Sequence, residues 1–454
     1  MLNWNMLCGK FNFKGDEYPF VLDGRILTVV RAKNEYINGF DSIDTIDYLE
    51  GSTSNRKIVF LYCKRLGGAM AAIQENIRFS IQIYATYYGG EDGYDKLVFQ
   101  SPALRAFFSP RKALNFQSEK LYQISGISLN QWSDINQKFT CTIDGENIEC
   151  ILEFSSRVNL KFEDNTPLSI NPRWSMTFET PKKSIDIGKY YLYVRDFLVF
   201  ANFQNDIPME DIVIYKVRPD GQYAKSGKAV IFQHDYLNYK PSCKDSITFD
   251  DLDIYILSKL FSLVAARRTT GNYNPYFFPN DGQNKLTIDP AKWLITAISF
   301  EGEFNNIFPS FKSEKDETFR TVKNQLLDTI EKAVNQSGYG INNMRNSPLR
   351  SFKNLISHYD ITIKGKFAFC ETKFASEMVS QLEQICIDSQ LPHQSSFAEE
   401  YSNTRNCIAH GSIKQLEPVD FATYRILRCF IYLLIMSKAR VPLASRKNII
   451  KKIF

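Results

Sequence analysis

Arg78-Phe-Ser-Ile-Gln-Ile-Tyr-Ala-Thr-Tyr87 puts Phe79, Ile81, Ile83, Ala85 and Tyr87 on one side of an extended chain and leaves the other side polar apart from Tyr84. Successive side chains of a strand point to opposite faces, so this period of two predicts a half-buried strand. The same period recurs from the start of the chain to about residue 245. Phe139-Thr-Cys-Thr-Ile143 and Cys150-Ile-Leu-Glu-Phe154 flank Asp144-Gly145, a hairpin turn because glycine accepts positive φ. Ile58 to Tyr62, Val158 to Phe162, Met176 to Thr180 and Ile212 to Val217 read as further short strands. A helical interruption is expected from Lys189 to Phe203. Short strands between turn signals predict an antiparallel, sandwich or barrel-like domain over residues 1–245.

From about residue 246 the period becomes helical. Phe249-Asp-Asp-Leu-Asp-Ile-Tyr-Ile-Leu257 opens on acids that suit a helix N-terminus, and Arg267-Arg268-Thr-Thr-Gly271 supplies the basic last turn and the terminating glycine. After a Pro-, Asn- and Gly-rich loop from Gly271 to Gln283, Asp289-Pro290 opens the next helix, with Asp as cap and Pro in the first turn. Further helices are expected near 315–336, 348–358, 371–389, 396–410 and 417–439, the 396–410 one started by a capping box, Ser396-Phe-Ala-Glu399. The fold class is therefore α+β and multidomain, with residues 246–454 an all-α bundle.

The 454 residues, 44% of them apolar, are enough for two or three domains and give no case for global disorder. A net charge of +5 neither demands nor excludes a nucleic-acid partner, since placement matters more than the sum. Nine cysteines stand singly, without a C-x-x-C pair, beside four histidines. That pattern argues against a zinc site and a disulfide framework and fits a reducing cytosol. Met1-Leu-Asn-Trp-Asn-Met6 lacks the features of a signal peptide, and the longest apolar run, Cys429 to Met436, falls short of the ~20 residues that span a bilayer. The expected location is cytoplasmic, with no membrane partner.

One segment carries chemistry. Tyr401-Ser-Asn-Thr-Arg405-Asn406-Cys-Ile-Ala-His410-Gly411 ends the helix begun at Ser396. Asn406 and His410, four apart, share one helical face, and Arg405 stands about 140° from His410 at ~100° per residue. A long guanidinium stem can still reach a shared phosphate, and Gly411 leaves His410 at a solvent-facing end. RNA carries its own nucleophile, the 2′-hydroxyl, so its cleavage needs only proton transfer and stabilisation of the phosphorane-like charge. Histidine exchanges a proton near neutral pH, arginine offers a permanent forked donor, and asparagine can hold the imidazole tautomer. Neither a metal nor a cofactor is required by this chemistry.

The Arg405-Asn406-x-x-x-His410-Gly411 string resembles the R-x4-6-H signature of the HEPN superfamily of ribonucleases. The architecture is similar to the ApeA-like branch, in which a β-rich N-terminal domain precedes the helical one. Ala297-Ile-Ser-Phe-Glu301-Gly-Glu303-Phe304, and Gly9-Lys-Phe11 with Pro19 and Gly24, look like that branch too. The resemblance implies an antiphage abortive-infection ribonuclease, with RNA (transfer RNA among the candidates) as substrate. Arg405, Asn406 and His410 would be its catalytic residues, the HEPN domain would form a homodimer with a composite site, and a phage-derived trigger would activate it.

Other readings stand beside that one. Arg405 and His410 can simply satisfy the last carbonyls of a helix, or the bundle can be a silent scaffold that dimerises and binds partners while the β-domain senses a ligand. Glu301 and Glu303 can orient His410 or an arginine, pair with bundle arginines, or be solvated. Lys414 is the single residue best placed beside the motif to contact RNA phosphate. The acid-free tail from Lys438 to Phe454 is either a basic strip for RNA or a helix whose Ile449, Ile450, Ile453 and Phe454 pack inward. Cys407 reads as a small core residue of its helix, His234, His358 and His393 as isolated surface or loop residues, and Glu91-Asp92 as part of a glycine-rich turn.

Overall fold

A computed structural model describes residues 6–13, 15–30, 43–66, 76–88, 93–120, 123–158, 168–232, 239, 242–311, 317–336, 362–392, 396–411 and 415–454. The chain forms two compact units, one of Met1–Tyr273, Phe278–Lys285 and Ile453, the other of Asn274–Phe277, Leu286–Lys452 and Phe454.

The first unit is built on antiparallel strands. β1 (Leu7–Phe13), β2 (Asp16–Asp23), β3 (Ile26–Val30), β4 (Thr45–Ser52), β5 (Lys57–Arg65) and β6 (Asn76–Ser80) close into a six-stranded barrel through the pairing of β5 with β6. Phe11, Phe20, Leu27, Phe60 and Phe79 fill it, because each lies on the inward side of an alternating strand. β5 does double duty. Lys57 to Leu61 pair with β7 (Ile83–Tyr87), while Lys64 and Arg65 pair with β6, and Tyr62 in the left-handed region (φ 55°) marks the change. From β7 the sheet continues through β15 (Tyr223–Ile231), β14 (Ile212–Val217), β8 (Tyr94–Phe99), β13 (Leu168–Lys182), β12 (Glu146–Val158) and β11 (Gln137–Ile143), while β9 (Leu114–Lys120) and β10 (Gln123–Leu129) pair apart from it.

The stretch from Arg78 to Tyr87 alternates as expected, with Phe79, Ile81, Ile83, Ala85 and Tyr87 all buried, yet it forms two strands rather than one. The chain leaves β3 after Ser80 and joins β15 at Ile83, so a single face is kept while the pairing partner changes. Asp144 and Gly145, with φ of 52° and 80°, make the anticipated two-residue turn between β11 and β12. Of the segment Val158 to Phe162, only Val158 lies within the described residues.

The helix expected at 189–203 is α3 (Ile187–Asn202), following α1 (Pro102–Phe107) and α2 (Trp132–Ile135). Trp174 of β13 is fully buried against Phe139, Phe197 of α3 and Phe261 of α4 (Ile254–Thr269). The change of period near residue 246 marks where strands give way to successive helices, and the first of these, α4, packs on α3 and β11 in the first unit. Asp196 of α3, wholly buried, accepts from Nε and Nη2 of Arg268 at 2.8 and 2.7 Å. Arg268 therefore serves a buried carboxylate rather than only the end of its own helix.

The second unit is helical: α5 (Pro290–Ile307), α6 (Glu317–Gln336), α7 (Ile363–Lys373), α8 (Ala375–Asp388), α9 (Ala398–Ala409), α10 (Pro418–Lys438) and α11 (Leu443–Ile453). Asp289 caps α5 through Lys292 N–H at 2.8 Å, with Pro290 in the first turn as anticipated. The helix expected near 348–358 lies outside the described residues. Where one helix was expected at 371–389 there are two, because the chain turns at Phe374 to bury that ring beside Phe430 of α10. In α11, Ile449, Ile450 and Ile453 are buried, Lys447 and Lys451 are exposed, and Arg446 donates to Glu377 of α8 at 2.6 and 3.1 Å. The inward-packing reading of the tail is the one observed. Among the described residues no helix is long and apolar enough to cross a membrane.

Two outcomes are expected. A Cβ at Gly9 would stand 2.2 Å from the Ser52 carbonyl oxygen across the β1–β4 seam, where only two residue pairs register. Gly9→Ala should cost about 1–3 kcal/mol, read as a lower urea midpoint. Burial alone would raise the Glu377 carboxyl, but its hydrogen bonds with Ser376 and Arg446 hold it below the usual value. Its contribution is complete above the ordinary glutamate range and is lost as pH falls through the lowered value. Acidification should therefore lower the protection factors of the α11 amides, each measured against the intrinsic exchange rate at the same pH, in the wild type, and less so in Glu377→Gln.

Candidate functional site

The site is organised by the orientation of α9. Its start is fixed by Glu371 of α7, whose carboxylate accepts Phe397 N–H at 2.6 Å and the Ser396 hydroxyl at 2.7 Å, while Ser396 Oγ accepts Ala398 N–H at 3.2 Å. The expected reciprocal box with Glu399 does not form, because Glu399 pairs with Lys364. A carboxylate from a neighbouring helix does the capping instead.

Along α9 the inward face is Ala398, Tyr401 and Thr404. Tyr401 stacks on Phe367 of α7 with centroids 4.8 Å apart, and the Thr404 hydroxyl donates to the Asp420 carboxylate at the start of α10. Asp420 also accepts the Glu417 N–H at 2.9 Å through its side chain and the Trp293 indole N–H at 3.0 Å through its carbonyl. With that face turned in, Asn406, Cys407 and His410 are exposed, so Cys407 is a surface residue and not the core residue expected.

Arg405 stands between the two faces. Its Nε donates to Glu301 Oε1 of α5 at 3.1 Å, and the Tyr401 hydroxyl donates to the same oxygen at 3.3 Å. The Arg405 side chain keeps 28% of its exposure, and among the described residues this is its one ion pair. A carboxylate on Nε holds the stem and leaves the terminal Nη fork for a ligand. Burial, then the Glu301 charge, pushes the Tyr401 phenol well above its ordinary range, so it remains a donor. One turn further along α5, Asn305 Oδ1 accepts from the Lys366 ammonium of α7 at 2.8 Å.

His410 is the C-cap of α9, its N–H bonded to Asn406 O at 3.0 Å, and Gly411 follows at φ 77°. The helix stops where the glycine was expected to stop it. The imidazole makes no hydrogen bond among the described residues, so Asn406 does not hold it here. The structure thus joins Arg405 to Glu301 and Tyr401, and puts Asn406 and His410 on the adjoining open surface. Glu303 is buried. Lys414, His234, His358, His393, Glu91 and Asp92 lie outside the described residues.

Of the alternatives open to Glu301, the arginine pair is observed. Tyr401 could have been found from sequence, since it sits four residues before Arg405 on the same face. Lys366 carried no such signal, as the helix that presents it was not anticipated. Among the described residues no group of three or more His, Cys, Asp or Glu side chains could hold a metal ion. All nine cysteines are free.

No family model matches the chain, and no curated protein or solved structure gives a significant match to it.

Replacing Glu301 with Gln should release Arg405 without disturbing the fold. The expected signs are faster exchange of the Arg405 Nε proton by NMR and a stability loss of about 1 kcal/mol. Unchanged Nε exchange would mean that the carboxylate does not hold the guanidinium.

Proposed function

We propose that the helical unit is a metal-independent HEPN-type endoribonuclease, in which Arg405 binds the scissile phosphate and His410 moves the proton. The observation that supports this reading is an exposed histidine at the end of α9 on the same helix as an arginine that is held through its Nε and whose fork makes no further ion pair among the described residues. In this reading His410 takes the proton of the 2′-hydroxyl, the 2′-oxygen attacks the adjacent phosphorus, and Arg405 carries the charge that develops on the non-bridging oxygens. The 5′-oxygen leaves with a proton, and the other product ends in a 2′,3′-cyclic phosphate. A second copy of the chain would bring a second His410, so that one imidazole acts as base and the other as acid. Asn406, exposed one position from Arg405, is available to contact either the phosphate or the imidazole once substrate is bound.

The resemblance to the ApeA-like branch extends the proposal to antiphage abortive infection. It makes transfer RNA a candidate substrate, the HEPN domain the dimerisation element, the β-rich unit the regulatory part that responds to a phage-derived trigger, and the cytoplasm the place of action.

The test is expression of the wild type, His410→Ala and Arg405→Ala under triggering conditions, with RNA integrity and growth followed together. Wild-type cleavage should persist in EDTA and leave cyclic phosphate ends, and each variant should fall by about 10²–10⁴-fold. Equal RNA damage in all three strains would overturn the assignment.

A further inference from the structure

Glu301 and Asn305 are four residues apart on α5, hence on one face and about 6 Å apart along the axis. Each holds a cation from a different helix. Glu301 holds Arg405 of α9, and the Asn305 amide oxygen holds the Lys366 ammonium of α7 at 2.8 Å. The two differ in what they leave uncompensated. Arg405 meets a carboxylate, whereas Lys366 meets a neutral amide, which orients the ammonium without cancelling its charge. Lys366 is only 6% exposed, and its ammonium passes 5.9 Å from the centre of the Phe304 ring. Asn305 itself is exposed, so the amide that holds the buried Lys366 ammonium is in turn open to solvent. The nearby Lys364 shows the contrast, since it is paired with Glu399.

We propose that Lys366 binds the phosphate adjacent to the one on Arg405, so that the site engages two successive phosphates of a single RNA strand. This rests on the ribonuclease reading and deepens it. Two cations held by acceptors one helical turn apart on α5 match a linear polyanion better than an isolated phosphate. A strand laid along that face would place one linkage at Arg405 and His410 and its neighbour at Lys366. Lys366 would then contribute affinity and register rather than proton transfer. Burial depresses the Lys366 ammonium, with Glu301 opposing and Arg405 reinforcing that effect. A phosphate partner would relieve the cost of holding the charge there.

The experiment uses the full chain carrying His410→Ala, which cannot turn over its ligand, and two probes: a ribodinucleoside monophosphate and a ribotrinucleoside diphosphate. The trinucleotide should bind more tightly. Adding Lys366→Met should erase that advantage, roughly tenfold or more, and lower the salt dependence of trinucleotide binding by about one phosphate contact, with the dinucleotide unaffected. Lys366→Arg should retain the advantage, and Asn305→Ala, which frees the ammonium but keeps it, should weaken it partly. Equal loss for both probes in Lys366→Met would mean that the lysine only supports the seam, and overturns the proposal. So would a trinucleotide advantage that survives Lys366→Met in a chain whose melting is unchanged. These outcomes leave the ribonuclease reading intact. A wild-type chain that cleaves no RNA when triggered would remove both.

Discussion

Asp420 ties three helices of the second unit together. Its carboxylate accepts the Glu417 N–H at the start of α10 and the Thr404 hydroxyl of α9, while its carbonyl accepts the Trp293 indole of α5. The residue is wholly buried, and a buried carboxylate persists only when its lone pairs are satisfied. Its partners fix how α9 is rotated about its own axis. Thr404 must face inward to reach Asp420, and Tyr401, three residues earlier, faces the same way onto Phe367. That rotation brings Arg405 to the edge beside Glu301 and leaves Asn406 and His410 outside. The geometry of the candidate site is thus set by contacts that do not themselves touch a substrate.

The first unit solves a different problem. A barrel removes sheet edges, but here the barrel also has to hand its sheet on to seven further strands. β5 does this by splitting its length between two partners, β7 first and β6 after Tyr62. α3 and α4 then cover the long sheet with aromatic rings around Trp174, and Arg268 neutralises the one fully buried aspartate of α3. Removing Arg268 would strand the Asp196 charge in an apolar interior, whereas the arginine, its side chain 32% exposed, could still reach water.

What could be read from sequence follows from what each signal depends on. The alternation from Arg78 to Tyr87 survives because side-chain direction is local, yet the break at Ile81 is not legible, since it depends on which distant strand pairs where. The Asp144-Gly145 turn, the Asp289-Pro290 start of α5 and the Gly411 stop of α9 were all legible because their causes lie within a few residues. The capping of α9 was not. Ser396 and Glu399 have the right spacing, but Glu371 reaches in from another helix to take the Ser396 hydroxyl and the Phe397 N–H. Arg405 and His410 stood out as a motif, while Lys366 did not, because its significance comes from Asn305 and Glu301 on a helix some sixty residues earlier in the chain.

The charge balance of the α5–α7–α9 cluster follows from those placements. Arg405 and Lys366 bring two positive charges and Glu301 one negative, which leaves one fixed positive charge, and Glu301 is engaged on its Oε1 by both Arg405 and Tyr401. The phenol and the guanidinium Nε–H are accepted together by that one oxygen, which has a lone pair for each, and both donors come from α9, so Glu301 fixes α5 against α9 through two bonds one helical turn apart. The contact through Nε holds the arginine stem, and among the described residues the guanidinium makes no further ion pair. The cluster therefore carries one positive charge more than its own carboxylate offsets.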